Sequence, residues 1–147
     1  MAEPERAYER RVRAAMMLLR EPPRERRAAR TVLVVETNSF VVDVIESALK
    51  PLRASLVHAA SAESALALAR ITKPVLVIME VSLPGASGYD ALSLLKGEPG
   101  LSDVPVIALT ARPLSEERLY LEHAGFAACL GKPLDLQALL AAVQRHL

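Results

Sequence analysis

Four polar residues of this 147-residue chain each stand at the end of a short apolar run. Glu36 follows Val32-Leu33-Val34-Val35, Glu80 follows Val75-Leu76-Val77-Ile78-Met79, Thr110 follows Val106-Ile107-Ala108-Leu109, and Lys132 comes just after Phe126–Leu130. If the four runs lie side by side as strands, two carboxylates, a hydroxyl and an ammonium converge at one edge. Clustered acids suit a hard cation such as Mg²⁺, which takes oxygen ligands in tight octahedral geometry. Two acids are a lean set for that, and Lys132 supplies a competing positive charge. The structural alternative is an ion pair of Glu80 with Lys132 that only neutralises charge at the strand ends.

Other chemistries lack their residues. There is no G-x-G-x-x-G or G-x-x-x-x-G-K-[ST] loop to cradle phosphates. Ser87-Gly88 is not a nucleophile elbow, and His58, His123 and His146 show neither triad nor metal spacing. His58 sits in a strand and reads as a rim or core histidine with a satisfied ring. His123 and His146 lie near helix C-termini, where positive charge is favoured. The single cysteine, Cys129, excludes an internal disulfide or a multi-cysteine zinc site and fits a reducing compartment.

The elements that must position these residues alternate in type. Composition allows a folded core: 52% of residues are apolar, 24% are charged and the net charge is +1. The β-branched run Thr31–Val35 reads as a strand buried on both faces. Asn38 or Ser39 caps a following helix that carries Phe40, Val41, Val44, Ile45 and Leu49, and Pro51 ends it. Ser55–Ala59 is a second strand, and Ser61 caps a helix to about Ile71. Val75–Met79 is the third strand, residues 80–88 a turn-rich loop, and Tyr89 to Lys96 a helix stopped by Gly97. Val104–Leu109 is the fourth strand, with Pro105 near its start. Ser115 caps a helix to Ala124, closed by Gly125; Phe126–Leu130 is a short fifth strand, and Asp135 caps the last helix. Five strand–helix units imply an α/β fold: a doubly wound, five-stranded parallel sheet of flavodoxin-like (βα)5 order. In such sheets the site lies outside the C-terminal strand ends, where Glu36-Thr37, Glu80, Thr110 and Lys132 fall.

Charge divides the chain at the same place as composition. Residues 1–30 carry nine Arg against five Glu, a net +4, and residues 31–147 a net −3. Glu21-Pro22-Pro23-Arg24-Glu25-Arg26-Arg27 reads as a linker, so the expected division is an extension over 1–30 and one domain over 31–147. Tyr8, Val12, Ala15, Met16 and Leu19 form a helical stripe within residues 5–20, with Arg6, Arg10, Arg13 and Arg20 largely off it. Such a helix packs on its own domain or a second copy, or else meets a partner helix or an anionic surface. The arm lacks the interleaved aromatics of a single-strand nucleic-acid binder, and its charge is modest for that role. No apolar run reaches the roughly 20 residues of a membrane span. The first residues show no secretory leader, so the expected address is the cytoplasm.

Residues 31–147 resemble a receiver domain of bacterial two-component response regulators, of the single-domain kind. Val34-Val35-Glu36-Thr37-Asn38 resembles that family's first-strand acidic motif, and Met79-Glu80-Val81-Ser82-Leu83-Pro84-Gly85 its third-strand motif. Gly88 falls at the glycine four residues past the proline, Ile107-Ala108-Leu109-Thr110-Ala111 resembles the switch-threonine motif, and Lys132-Pro133 the fifth-strand Lys-Pro. The resemblance implies a non-enzymatic signalling module in a phosphorelay. Its output surface would be the face of the body's fourth helix, fifth strand and fifth helix, with the N-terminal helix adding contacts to a partner or a second copy.

Three positions depart from the pattern. Glu80 stands where the family carries its phospho-accepting Asp. Thr37 stands where it carries its main Mg²⁺-binding Asp, while Glu36 keeps the neighbouring acid. Cys129 takes a position, three before the lysine, that is often aromatic and coupled to the switch threonine; it reads as a small buried strand residue rather than a redox sensor. Glu is one methylene longer than Asp, which moves the carboxylate by about 1.5 Å, more than reaction geometry tolerates. Losing the charged ligand at 37 further weakens any Mg²⁺ site, so cation binding is expected to be weak or absent and no cofactor is expected. The resemblance then implies a pseudo-receiver outside the usual phosphorylation cycle. Glu80 would either imitate part of the acyl phosphate's charge beside Thr110 and Lys132, or belong to a scaffold that has lost its chemistry. Two competing readings are a working receiver that accepts phosphate on Glu80 or another group, and a nucleic-acid binder through the Arg-rich arm.

Overall fold

A computed structural model describes residues 3–19 and 30–147, with side chains for 4–12 and 30–147. The linker expected at 21–27, Arg20, and the side chains of Arg13, Ala15, Met16 and Leu19 lie outside the described residues. Helix α1 runs Glu3–Leu19 with Pro4 in its first turn, where the missing N–H costs nothing.

The body alternates as the spacing predicts: β1 (Arg30–Val35), α2 (Ser39–Leu49), β2 (Ala54–Ala59), α3 (Ala62–Thr72), β3 (Leu76–Glu80), α4 (Gly88–Lys96), β4 (Val106–Thr110), α5 (Leu114–Ala124), β5 (Ala128–Gly131) and α6 (Leu136–His146). The sheet is parallel throughout, in the order β2-β1-β3-β4-β5. Each strand alternates its side chains between two covered faces. Val32, Val34, Leu76, Ile78, Ile107 and Leu109 pack under α2 and α6. Leu33, Val35, Val77, Met79, Val106 and Ala108 pack under α3, α4 and α5. β3 and β4 are buried at every residue, which is why they read as unbroken apolar runs.

Helix starts follow their caps, with one correction. Asn38 Oδ1 accepts from the N–H groups of Phe40 and Val41, Ser61 forms a capping box with Ser64, and Asp135 accepts from Gln137 and Ala138. Ser115 does not cap α5; the helix begins at Leu114, directly after Pro113, which has no capping side chain. The Pro113 carbonyl instead accepts from Glu116 and Glu117, and those two acids complement the helix dipole. Three strands start later than their apolar runs. β4 begins at Val106 rather than Val104, whose N–H still donates to the Leu101 carbonyl of the preceding turn. Val75 lies before β3, and β5 begins at Ala128 because Phe126 is still closing α5 through its N–H bond to Leu121. Gly125 makes that closure possible with φ of 110°.

Candidate functional site

β1 and β3 are neighbours whose connections leave in opposite directions, so a crevice opens beyond their C-terminal ends. Glu36 follows the last residue of β1. Its N–H donates to the Ala59 carbonyl at 3.0 Å, which prolongs the ladder and turns the side chain inward. The carboxylate is buried, with Oε1 accepting from the N–H groups of Thr37 (3.2 Å) and Asn38 (3.1 Å). Its other oxygen lies 2.8 Å from Lys132 Nζ. His58 at the end of β2 donates Nε2–H to the Glu36 carbonyl at 2.6 Å, so its ring is satisfied at the rim.

Glu80 ends β3 and is also buried. Its Oε1 accepts from the Ser82 N–H at 3.2 Å, and Oε2 is in contact with Lys132 Nζ. Gly88 lets the chain after β3 turn back against the end of that strand, its N–H donating to the Val81 carbonyl at 2.6 Å. A Cβ there would stand 2.7 Å from Val81 Cα and 2.9 Å from the Glu80 carbonyl oxygen, both rigid main-chain atoms. Thr110 ends β4, is buried, and accepts through Oγ1 from the Arg112 N–H at 3.1 Å. Lys132 is brought alongside by its own N–H, which donates to the Thr110 carbonyl at 2.8 Å.

One ammonium thus sits between two buried carboxylates. Burial alone would pull the Lys132 pKa down, but hydrogen bonds to Glu36 and Glu80 and their negative charge outweigh it, and the pKa stands above the ordinary lysine value. A Mg²⁺ ion does not fit this donor set. The outer oxygens of both carboxylates face Lys132, and their inner oxygens accept main-chain N–H groups. Thr37 is exposed and neutral, and no cluster of three His, Cys, Asp or Glu occurs among the described residues.

Pro133, next in the chain, is exposed and joined to Lys132 by a cis peptide. Cys129 is buried on β5; burial pushes its thiol up, only partly countered by the Arg118 charge. A raised thiol is the reverse of the lowered one that redox chemistry uses.

A second polar cluster borders the site, and sequence reading did not find it. Glu117 on α5 is buried, accepts from the Tyr89 hydroxyl at 3.1 Å and pairs with Arg112 at 3.2 Å. These residues wall a cleft of about 570 Å³, shared with Ser82, Ser87 and Thr110. Arg112 therefore ties the loop after Thr110 to the helix that follows it. The signal was weak: a Glu within a run of acids and a Tyr 28 positions away carry no recognisable motif.

Beyond the cleft, α5 turns Leu119 and Tyr120 outward, and α6 does the same with Leu136. No helix among the described residues is long and apolar enough to cross a membrane.

Residues 32–144 match the family model of the response regulator receiver domain. TcrX of Mycobacterium tuberculosis is 35% identical over 108 residues, 73% of this chain and 45% of TcrX, so the chain spans less than half that relative's length. The polar-differentiation response regulator DivK of Brucella ovis is 26% identical over 118 residues, 80% of this chain and 96% of DivK. Among solved structures, the receiver domain of the sensor histidine kinase PA1611 from Pseudomonas aeruginosa is 30% identical with a TM-score of 0.71, covering 80% of this chain and 97% of that one. That domain was crystallised with a magnesium ion coordinated in its active-site cleft.

Proposed function

This chain belongs to the response regulator receiver family, and from that premise we propose that it signals by protein–protein contact without passing through a phosphorylated state. It is a two-component signalling module; the proposal is that it is a pseudo-receiver, acts in the cytoplasm, catalyses nothing and needs no Mg²⁺. The observation that carries this reading is the Lys132 ammonium held between the buried carboxylates of Glu36 and Glu80. A phosphoryl group entering at Glu80 would have to displace that contact, with no charged side chain at Thr37 to help bind a cation against the developing charge. The same contact places a fixed negative charge on Lys132, where a phosphorylated receiver would carry one. The site is then locked in one state, and partners read the surface of α5, β5 and α6.

Acetyl phosphate with Mg²⁺, followed by intact mass spectrometry, tests the reading. The natural chain should gain no phosphoryl group. A chain carrying Thr37→Asp and Glu80→Asp together should gain one, because it regains the short acceptor and the cation ligand. Stoichiometric labelling of the natural chain would establish a working receiver instead.

A further inference from the structure

We infer that the cleft walled by Tyr89, Arg112 and Glu117 receives one arginine side chain of a protein partner, and that this chain's own Arg112 sits there as a replaceable occupant. That assignment rests on the protein-contact reading above and deepens it, because it names the chemistry a partner brings to the border of α5.

Among the described residues three carboxylates are buried, and they are neutralised in two different ways. Glu36 and Glu80 share Lys132, which keeps only 20% of its side chain in water. Glu117 has 9% of its side chain exposed, yet its cation, Arg112, is 75% exposed and reaches it through one nitrogen at 3.2 Å. An ion pair with one member so far into solvent is weak and readily exchanged. A buried carboxylate left without a cation is costly. Glu117 therefore needs a positive charge and holds its own loosely. The Tyr89 hydroxyl does not meet that need, since it gives the other carboxylate oxygen a neutral hydrogen bond at 3.1 Å.

The surroundings select the cation. The cleft beside this pair holds about 570 Å³, room for a further side chain. Its lining carries two acids, Asp90 and Glu117, against the single base Arg112, so an anion is disfavoured. Each carboxylate oxygen of Glu117 accepts one hydrogen bond and keeps a second lone pair. A planar guanidinium can bond both oxygens at once, where Arg112 bonds one, and it sheds water more readily than an ammonium does. Ser82, Ser87 and Thr110 add hydroxyl oxygens around it, and the Tyr89 ring is part of the same wall. The side chain of Arg112 is free to withdraw without releasing Thr110, because the bond to Thr110 Oγ1 comes from the Arg112 main-chain N–H. Glu117 belongs to α5, so the exchange happens at the edge of the face assigned to partners.

Titration of the full chain with N-acetyl-arginine amide at fixed ionic strength, followed by amide-resolved NMR, tests this. Saturable shifts should centre on Tyr89, Arg112 and Glu117, and the neutral isostere N-acetyl-citrulline amide should give none. Glu117→Gln should abolish the shifts. Arg112→Ala should tighten binding by about two- to five-fold, because the internal competitor is gone. Arg112 is exposed, so that variant remains decisive even if Glu117→Gln fails to fold. Unchanged or weakened binding by Arg112→Ala would make Arg112 a wall of the cleft rather than its occupant and would overturn the inference. So would a natural chain that shows no shifts, a folded Glu117→Gln chain that binds as before, or equal shifts with the citrulline derivative. Free L-arginine binding more tightly than the capped form would point to a small metabolite and overturn the partner assignment. The two readings fail separately. Absent shifts without phosphoryl labelling sink only the cleft, and labelling with the shifts intact sinks only the pseudo-receiver.

Discussion

Replacing Lys132 by Met isolates the charge that Glu36 and Glu80 share. Methionine keeps an unbranched apolar stem in the same place and removes the ammonium. Two buried carboxylates then face one another without a counter-charge. Deleting one partner of a buried ion pair costs about 3–5 kcal/mol. Lys132 keeps 20% of its side chain in water, so the lower figure applies, ~3 kcal/mol. For a body of this size each kcal/mol is worth about 4 °C, so the melting temperature should fall by roughly 12 °C. The pH dependence gives the sharper test. Lys132 holds its proton more tightly folded than unfolded, because its two carboxylates outweigh burial. That contribution is complete below the ordinary lysine value of 10.5 and is lost as pH rises through the higher folded value. Urea titrations of both proteins should therefore show a constant gap from about pH 7 to pH 9 that narrows above the lysine range. A gap below about 0.5 kcal/mol at neutral pH would refute the charge argument. So would a gap that persists undiminished at high pH, since the stem alone would then account for it.

Two further outcomes follow from the contacts around the site. Gly88→Ala should destabilise by about 1–3 kcal/mol in urea titration, because the new methyl would meet main-chain atoms of Val81 and Glu80 that cannot swing away. Tyr89 should ionise above the ordinary tyrosine value of 10.0 in an ultraviolet titration, since burial first and the Glu117 hydrogen bond second push its phenol up. Glu117→Gln should bring that step down toward the ordinary value, and an unchanged titration would remove Glu117 as a cause.

The sequence made the body legible where one physical rule acted alone. β3 and β4 are buried on both faces, so their runs are apolar up to the terminal Glu80 and Thr110 and read as central strands. Asn38, Ser61 and Asp135 cap helices because their side-chain oxygens accept from the free N–H groups of the first turn. Legibility failed where two rules met. At Pro113-Leu114-Ser115 the fixed φ of proline put the cap at Pro113, two residues before the serine that capping preference favoured. At Phe126-Ala127 an apolar pair that reads as strand is instead spent on closing α5 and docking beside Val106. The site divides in the same way. Lys132 meeting Glu80 was visible from the strand ends, but Lys132 shared with Glu36 was not. That sharing depends on Glu36 turning inward under the N–H groups of Thr37 and Asn38, which no spacing encodes. The Tyr89–Glu117–Arg112 cluster was invisible for the same reason, being assembled from three separate elements.

The residues at positions 37 and 80 act together, through charge balance. Glu36, Glu80 and Lys132 form a buried group of two negative charges and one positive. A net of one negative charge is tolerable there because main-chain N–H groups of Thr37, Asn38 and Ser82 also point at the carboxylates. A third carboxylate at position 37 would leave two negative charges uncompensated on one ammonium. The group would then need a cation, since uncompensated buried charge is costly. A neutral Thr37 removes that need. Glu80, longer than an aspartate, can then spend its second oxygen on Lys132 rather than on a metal. On the pseudo-receiver reading proposed above, the neutral Thr37 and the long Glu80 are one feature in two places. Restoring either alone should be worse for stability than restoring both in the presence of Mg²⁺, because only the pair rebuilds a site whose charge a cation can complete.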